Sequence, residues 1–202
     1  MAGNKNYIWI LILVILAASL FFIPAKSGGE AIRIKKECQT LQNKETCYGK
    51  AFENLTRATD WTHSFSVLRE LQEIEPSARG CHFIAHSITI AETQKDPSRW
   101  RENMNSAPQD CSYGGPHGAL EVYASTFPDG KIPKEEIPDI CNNPDTNNCT
   151  HILGHLLLVM TENDIVKSLD SCDTLPHNDL GKFECLTGVF MDRLTAFNLV
   201  TH

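Results

Sequence analysis

The apolar residues of this chain recur at the three- and four-residue steps of an amphipathic helix, in segments separated by proline-containing breaks. The stretch from 61 to 75 is the clearest example, because Asp60 can cap its N-terminus and apolar residues follow at three-residue steps. These apolar residues are Phe65, Leu68, Leu71 and Ile74. No stretch alternates apolar and polar residues for long enough to predict a sheet. The pattern therefore predicts an all-α fold.

A cysteine begins each of five segments that have helical periodicity and small residues in their first turn. The five cysteines are Cys47, Cys81, Cys111, Cys149 and Cys185, spaced by 34, 30, 38 and 36 residues. This spacing is typical of helical hairpins that repeat along a chain. We therefore expect Cys-headed helical hairpins, stacked as a short solenoid or closed into a partial α/α toroid.

The other three cysteines precede a heading cysteine by 9, 8 and 13 residues, so each can join two consecutive helices. Cys81 and Cys111 then remain for each other. The predicted disulfides are Cys38–Cys47, Cys81–Cys111, Cys141–Cys149 and Cys172–Cys185. Eight cysteines allow 105 pairings, and local spacing is the reason for choosing this one.

The spacing of the cysteines and two short motifs resemble known families. Cysteines about eight residues apart in a helical-hairpin array resemble secreted, disulfide-stapled Sel1-type repeats, which are TPR-like and mostly bind proteins. The strings Cys47-Tyr48-Gly49 and Pro116-His117-Gly118 resemble motifs that head the inner helices of lanthionine-cyclase toroids. The first resemblance implies a protein partner. The second implies zinc held by cysteine and histidine.

An uncharged apolar run of 17 residues, Tyr7 to Ile23, follows Lys5 and ends at Pro24. Residues 1–24 are predicted to be a signal anchor, or a signal peptide if they are cleaved, and residues 25–202 a single domain. As an anchor, the segment 7–23 would form one transmembrane helix. The chain ends within a helical pattern, so we expect that the domain continues beyond residue 202.

Two signals disagree on the side of the membrane on which the domain lies. More lysine and arginine follows the apolar run than precedes it, which alone would place the domain in the cytoplasm. An even number of cysteines without paired CxxC motifs favours an oxidising compartment. We give the cysteines more weight and expect a membrane-anchored domain on the extracytoplasmic side, or a secreted one after cleavage.

The charge of the chain disfavours nucleic acid as a partner. The formal net charge is -7, and it becomes -8 without residues 1–24, which carry one cation, Lys5, and no acid. An acidic surface repels phosphate backbones. The strings CxxCH and HExxH are absent, which excludes covalent haem attachment and a zincin motif.

Five histidines cluster near the starts of the Cys-headed segments, and they are the candidate metal ligands. His82 and His86 are spaced i, i+4, as are His151 and His155, so each pair shares one helix face. His117 is the fifth member. Such a set can bind zinc, copper or iron, or b-type haem through two imidazoles. Below about pH 6, near the ordinary imidazole pKa of ~6.5, protons are expected to compete with the metal.

Three further residues are predicted to support these ligands, because they share an offset from a heading cysteine or a helix face with them. They are Glu53, Glu121 and Met191. Carboxylates beside a ligating imidazole fix its tautomer. The remaining histidines, His63, His177 and His202, are interpreted as packed or capping residues.

Three functions from different classes follow from these patterns. The preferred one is an extracytoplasmic helical-repeat protein with a histidine-rich metal or haem centre. The second is a disulfide-stapled protein-interaction module without metal. The third is a metal-dependent enzyme, for which the sequence indicates neither a substrate nor catalytic residues.

Overall fold

The computed structural model describes residues 28–141, 147–175 and 178–200, and every regular element within these ranges is helical. The α-helices are α1 (Gly28–Cys38), α2 (Lys44–Ala58), α3 (Trp61–Ile74), α4 (His82–Thr93), α5 (Trp100–Ser106), α6 (Gly114–Ser125), α7 (Ile137–Ile140), α8 (Asn147–Met160), α9 (Ile165–Asp173) and α10 (Asp179–Val200). Short 3-10 turns lie at Pro76–Arg79, Pro97–Arg99 and Pro128–Gly130. The predicted all-α class is confirmed for the described residues.

Polar side chains begin several of these helices by accepting hydrogen bonds from free backbone N–H groups. The caps are Asn43 on α2, Asp60 on α3 and Asp164 on α9. Asp60 accepts from the backbone N–H of His63 at 2.9 Å, as the sequence predicts. The apolar face of α3 is buried except at its last residue, Ile74, which lies beside the C-cap Glu75 and is 39% exposed.

Four disulfides join all eight cysteines, and they are the four pairs that the spacing predicts. They are Cys38–Cys47, Cys81–Cys111, Cys141–Cys149 and Cys172–Cys185. The expectation that each heading cysteine begins its helix is only roughly correct. Cys185 is the seventh residue of α10, whereas Cys111 lies three residues before α6 begins.

The even-numbered helices, which carry or follow the heading cysteines, pack in chain order: α2 on α4, α4 on α6, α6 on α8 and α8 on α10. The contact between α6 and α8 is the least extensive of the four. One apolar core is formed by the helices from α1 through α4 and includes Ile34, Phe52 and Leu71, all fully buried. A second core joins α5 to α10. The histidines lie where these even-numbered helices meet.

Within the described ranges, no helix is both long enough and apolar enough to cross a membrane. The predicted signal anchor, residues 1–24 with its apolar run 7–23, lies outside the described residues.

Candidate metal centre

Five imidazole rings from three different helices gather at one place in the fold. His82 and His86 extend from α4, His117 from α6, and His151 and His155 from α8. Ring centroids of neighbouring members lie between 4.6 Å, for His117 and His155, and 6.0 Å, for His82 and His86. His117 contacts all four other rings. His117 is therefore in ring contact with both i, i+4 pairs.

These separations are compatible with imidazoles that share metal ions. An imidazole bound at about 2.0–2.1 Å keeps its ring centroid roughly 3.2 Å from the ion, so two rings on one ion lie roughly 5.2 Å apart at the tetrahedral angle and at most about 6.4 Å apart. In the group His117, His151 and His155, one ring nitrogen of each residue lies within 4.8 Å of the other two. The Nε2 atoms of His151 and His155 are 3.2 Å apart. Two nitrogen ligands of a tetrahedral zinc ion are separated by about 3.3 Å.

Hydrogen bonds to the Nδ1 atoms fix the tautomer of three of the five rings. His82 Nδ1 donates to the backbone carbonyl of Ser112 at 3.0 Å, and His86 Nδ1 lies 3.2 Å from the Glu121 carboxylate. His151 Nδ1 lies 2.9 Å from the Thr187 hydroxyl, which itself donates to the Glu184 carbonyl. Because each of these partners accepts, Nδ1 carries the proton. The lone pair of each ring is then on Nε2, as metal ligation requires.

His117 is the most buried of the five, with 5% of its surface exposed, and its Nε2 has no hydrogen-bond partner. Burial lowers the pKa of His117 far below its ordinary range, and the neighbouring imidazoles, His155 first, lower it further. The ring is therefore neutral at physiological pH. A buried, unpaired polar nitrogen is unfavourable unless a ligand satisfies it.

The pKa of His151 is also lowered, to about 4, mainly by burial and then by His155 and His82. A ring with so low a pKa stays deprotonated well below neutral pH. At His117 and His151, competition by protons therefore begins at a lower pH than the pH 6 expected from ordinary imidazoles.

Glycines let the helices that carry these histidines approach at backbone distance. A Cβ at Gly114 of α6 would lie 2.2 Å from the His82 carbonyl oxygen, and one at Gly188 of α10 would lie 2.0 Å from the His151 carbonyl oxygen. Gly118 and Gly154 make equivalent approaches in the same two helix pairs. Any side chain at Gly114 or Gly188 would separate the backbones. These residues therefore set the distance between each histidine and the residue that accepts its Nδ1 proton.

The segment before α6 has an unusual backbone. Cys111, Ser112 and Tyr113 have φ values of 65°, 51° and 62°, all in the left-handed region that residues other than glycine rarely adopt. Each such residue is less favourable by roughly 1–2 kcal/mol. This conformation presents the Ser112 carbonyl to His82, and the Cys81–Cys111 disulfide ties the segment to the N-cap of α4.

A cavity of about 460 Å³ opens beside the histidines. His82, His86, His117 and His155 line one part of it, whereas the remainder is mostly apolar. No lysine or arginine is among the described residues that line this cavity. A cation bound here would therefore meet imidazoles and the Glu121 carboxylate with no cationic side chain in the wall to repel it.

The predicted supporting residues have different outcomes. The spacing of Glu121 from His117 predicts that it supports His117, but its carboxylate contacts His86 across the helix interface. Met191 lines the cavity. Glu53, predicted beside the ligands, pairs instead with Lys50 and Arg57 on its own helix, because those cations are within one turn of it.

Sequence reasoning missed two site residues, Ser112 and Thr187, which accept from histidine Nδ1 atoms. Their positions shortly before Gly114 and Gly188 are the only signal that could have found them. His63 lies apart from the cluster and pairs with Glu30 at 2.6 Å, whereas His177 and His202 lie outside the described residues.

Comparison of the chain with protein-family models, curated proteins and solved structures finds no match. The resemblances to Sel1-type repeats and lanthionine-cyclase toroids therefore stay predictions. Function has to be inferred from the site itself.

Proposed function

We propose that this protein holds a transition-metal ion on His117, His151 and His155. The observation that carries the proposal is the convergence of three imidazole nitrogens within 4.8 Å around a buried, unpartnered Nε2. Imidazole nitrogens suit zinc and copper. The eight cysteines are all in disulfides, so the donors are imidazoles and not thiolates.

Zinc or copper fits this donor set better than haem or non-haem iron. Axial imidazoles on opposite faces of haem would have nitrogens roughly 4 Å apart, with the porphyrin between them. The 3.2 Å between the Nε2 atoms of His151 and His155 matches neighbouring ligands of one ion. Haem propionates also favour cationic partners, and the described cavity lining offers none. Non-haem iron commonly takes a carboxylate ligand, which this triad lacks.

The proposal places the protein in an oxidising, extracytoplasmic compartment. Four disulfides with no free cysteine are typical of secreted proteins and of domains exposed outside the cytoplasm. Attachment to a membrane through residues 7–23, and a solenoid or partial toroid made by the even-numbered helices, are parts of the same proposal.

A second candidate function is metal-dependent catalysis, and the adjacent cavity favours it. Three histidine ligands leave a fourth position on a tetrahedral ion, which is the arrangement of catalytic zinc sites. His117 and His155 both line the cavity, so that position would face a space large enough for a small molecule. The metal could there polarise a substrate or lower the pKa of bound water.

Metal binding is tested by removing metal from the full chain with a chelator, adding Zn²⁺ or Cu²⁺, desalting and measuring bound metal by elemental analysis. We expect at least one ion per chain. The double variant His117→Ala/His155→Ala should not retain the ion of this triad after desalting, because two of its three ligands are lost. Its far-UV circular dichroism should remain helical.

His63→Ala is the matched control, since it removes an imidazole that pairs with Glu30 outside the cluster. It should bind as the wild type does. A wild-type chain that retains no metal, or a double variant that binds as tightly as wild type, would contradict the proposal. Stoichiometric haemin binding with a two-imidazole spectrum would favour haem instead.

A further inference from the structure

We propose that the cluster is a two-metal centre, in which His82 and His86 hold a second ion beside the first. The inference rests on the metal centre proposed above, because His117 is in ring contact with both histidine pairs. It assigns a role to the two imidazoles that the first triad leaves unused.

The number of imidazoles is the first reason. One ion with an open position takes three protein ligands, and a closed tetrahedral site takes four. Five imidazoles converge here, and the rings of His82 and His86 lie 4.8 and 5.8 Å from that of His117. The two rings are 6.0 Å from each other, below the roughly 6.4 Å limit for one shared ion, and an ion held by both would have a wider N–metal–N angle than the tetrahedral one.

Orientation of the two rings is the second reason. The Ser112 carbonyl and the Glu121 carboxylate hold the Nδ1 protons of His82 and His86, so both lone pairs are on Nε2. Acceptors on the far nitrogen are a regular feature of metal-bound histidine.

The third reason is that the two halves of the cluster are built alike. In each half, the first histidine of the pair packs its carbonyl against a glycine three residues after a heading cysteine, Gly114 or Gly188. In each half its Nδ1 donates to a residue shortly before that glycine, Ser112 or Thr187. Because His151 belongs to the proposed triad, the equivalent construction around His82 indicates a second ligand pair.

Charge also permits a second cation. The Glu121 carboxylate lies on the side of His86 and supplies a negative charge close to the proposed ion. A solvent-derived hydroxide between two ions would reduce their repulsion, as in two-metal sites with ions about 3.5–4 Å apart.

The test is the number of Zn²⁺ ions that the full chain binds, measured by calorimetric titration and elemental analysis after desalting. We expect two per wild-type chain and one in His82→Ala/His86→Ala. The variant His82→Gln/His86→Gln keeps polar groups at both positions and should also bind one ion. Co²⁺ in place of Zn²⁺ should give the same numbers of bound ions. The visible absorption of bound Co²⁺ should therefore be weaker in the two variants than in the wild type, in proportion to the number of ions bound.

Glu121→Gln tests the supporting carboxylate while leaving every ligand in place. It should weaken binding of the second ion by about 10- to 100-fold and leave binding of the first ion unchanged. Glu53→Gln is its matched control, because that carboxylate pairs with Lys50 and Arg57 away from the site.

The outcomes separate the two proposals. One Zn²⁺ per wild-type chain, or two in both His82/His86 variants, would overturn the two-metal inference and leave the first triad standing. No Zn²⁺ in the wild type would overturn both.

Discussion

At the scale of single residues, the left-handed conformation of Ser112 has a direct consequence for His82. The Ser112 carbonyl accepts from His82 Nδ1 in a segment, residues 111–113, that keeps positive φ values. Strain of this kind persists where surrounding structure enforces it, and it is often found at functional sites. Here the Cys81–Cys111 disulfide supplies that constraint.

Replacing Ser112 by glycine should therefore stabilise the fold. Glycine adopts positive φ without a steric penalty, while its greater freedom in the unfolded chain offsets part of the gain, so we expect up to about 1 kcal/mol. The carbonyl is retained, and Zn²⁺ binding should not change. Urea unfolding measures the difference in stability.

The same substitution at Ser66, an exposed residue of α3, is the control. There glycine should destabilise by about 0.5 kcal/mol, because a regular helix disfavours it. If Ser112→Gly destabilised the protein as much as Ser66→Gly does, residues 111–113 would not carry the inferred strain.

The histidines of the cluster could be predicted from sequence, but most of their partners could not. The i, i+4 spacing places His82 with His86, and His151 with His155, on shared helix faces, because helix geometry alone determines this. The partner of Glu121 depends on how α4 crosses α6, which spacing along one helix does not report. The orientation of the Ser112 carbonyl depends on positive φ values that serine and tyrosine do not signal.

At the scale of helices, the site depends on two close crossings, α4 with α6 and α8 with α10. At the second, the Gly188 backbone contacts the backbone at His151, whose Nδ1 partner, Thr187, is the residue before this glycine. The distance between the helices and the orientation of the His151 ring are therefore coupled.

Gly188→Ala should destabilise the protein by about 1–3 kcal/mol, as overpacking of a close contact does. A Cβ would lie 2.0 Å from the His151 carbonyl oxygen, and a backbone atom can move away only if the helices separate. Zn²⁺ affinity at the first triad should fall with stability, since Thr187 would move away from His151. Thermal melts and zinc titration measure the two effects.

Gly80→Ala is the matched control, since no heavy atom lies within 4 Å of its Cβ and its φ is -77°. It should leave both stability and affinity close to wild type. A Gly188→Ala protein as stable as Gly80→Ala would show that the crossing can open without loss.

For the molecule as a whole, local features could be predicted and the arrangement of the helices could not. Disulfides over 8, 9 and 13 residues follow from spacing, because short loops bring consecutive helix ends together. Helices follow from periodicity. The meeting of α4, α6 and α8 was expected only on the assumption that hairpins stack in order. The sequence could not show that His117 contacts rings of both histidine pairs.

The buried imidazoles also make the stability of the metal-free protein depend on pH. The pKa of His151 falls from its ordinary value near 6.5 to about 4 in the fold, and that of His117 falls further. Between these values the unfolded chain binds protons that the folded chain does not. Stability is therefore fully present above about pH 6.5 and is lost as the pH falls toward 4, by up to about 1.4 kcal/mol per pH unit for each such histidine.

Urea unfolding of the chelator-treated protein between pH 7 and pH 5 measures this slope. Carboxylates whose pKa the fold lowers, such as those of Glu53 and Asp164, stay ionised in this window, so they contribute little there. His151→Gln should reduce the slope of stability against pH by up to about 1.4 kcal/mol per pH unit, which corresponds to one proton, because glutamine keeps a polar group and does not titrate. His63→Gln removes an imidazole outside the cluster and should leave that part of the slope in place. If His151→Gln did not change the slope, His151 would titrate alike in the folded and unfolded chains. The inference that burial lowers the pKa of His151 and keeps its ring neutral would then be wrong.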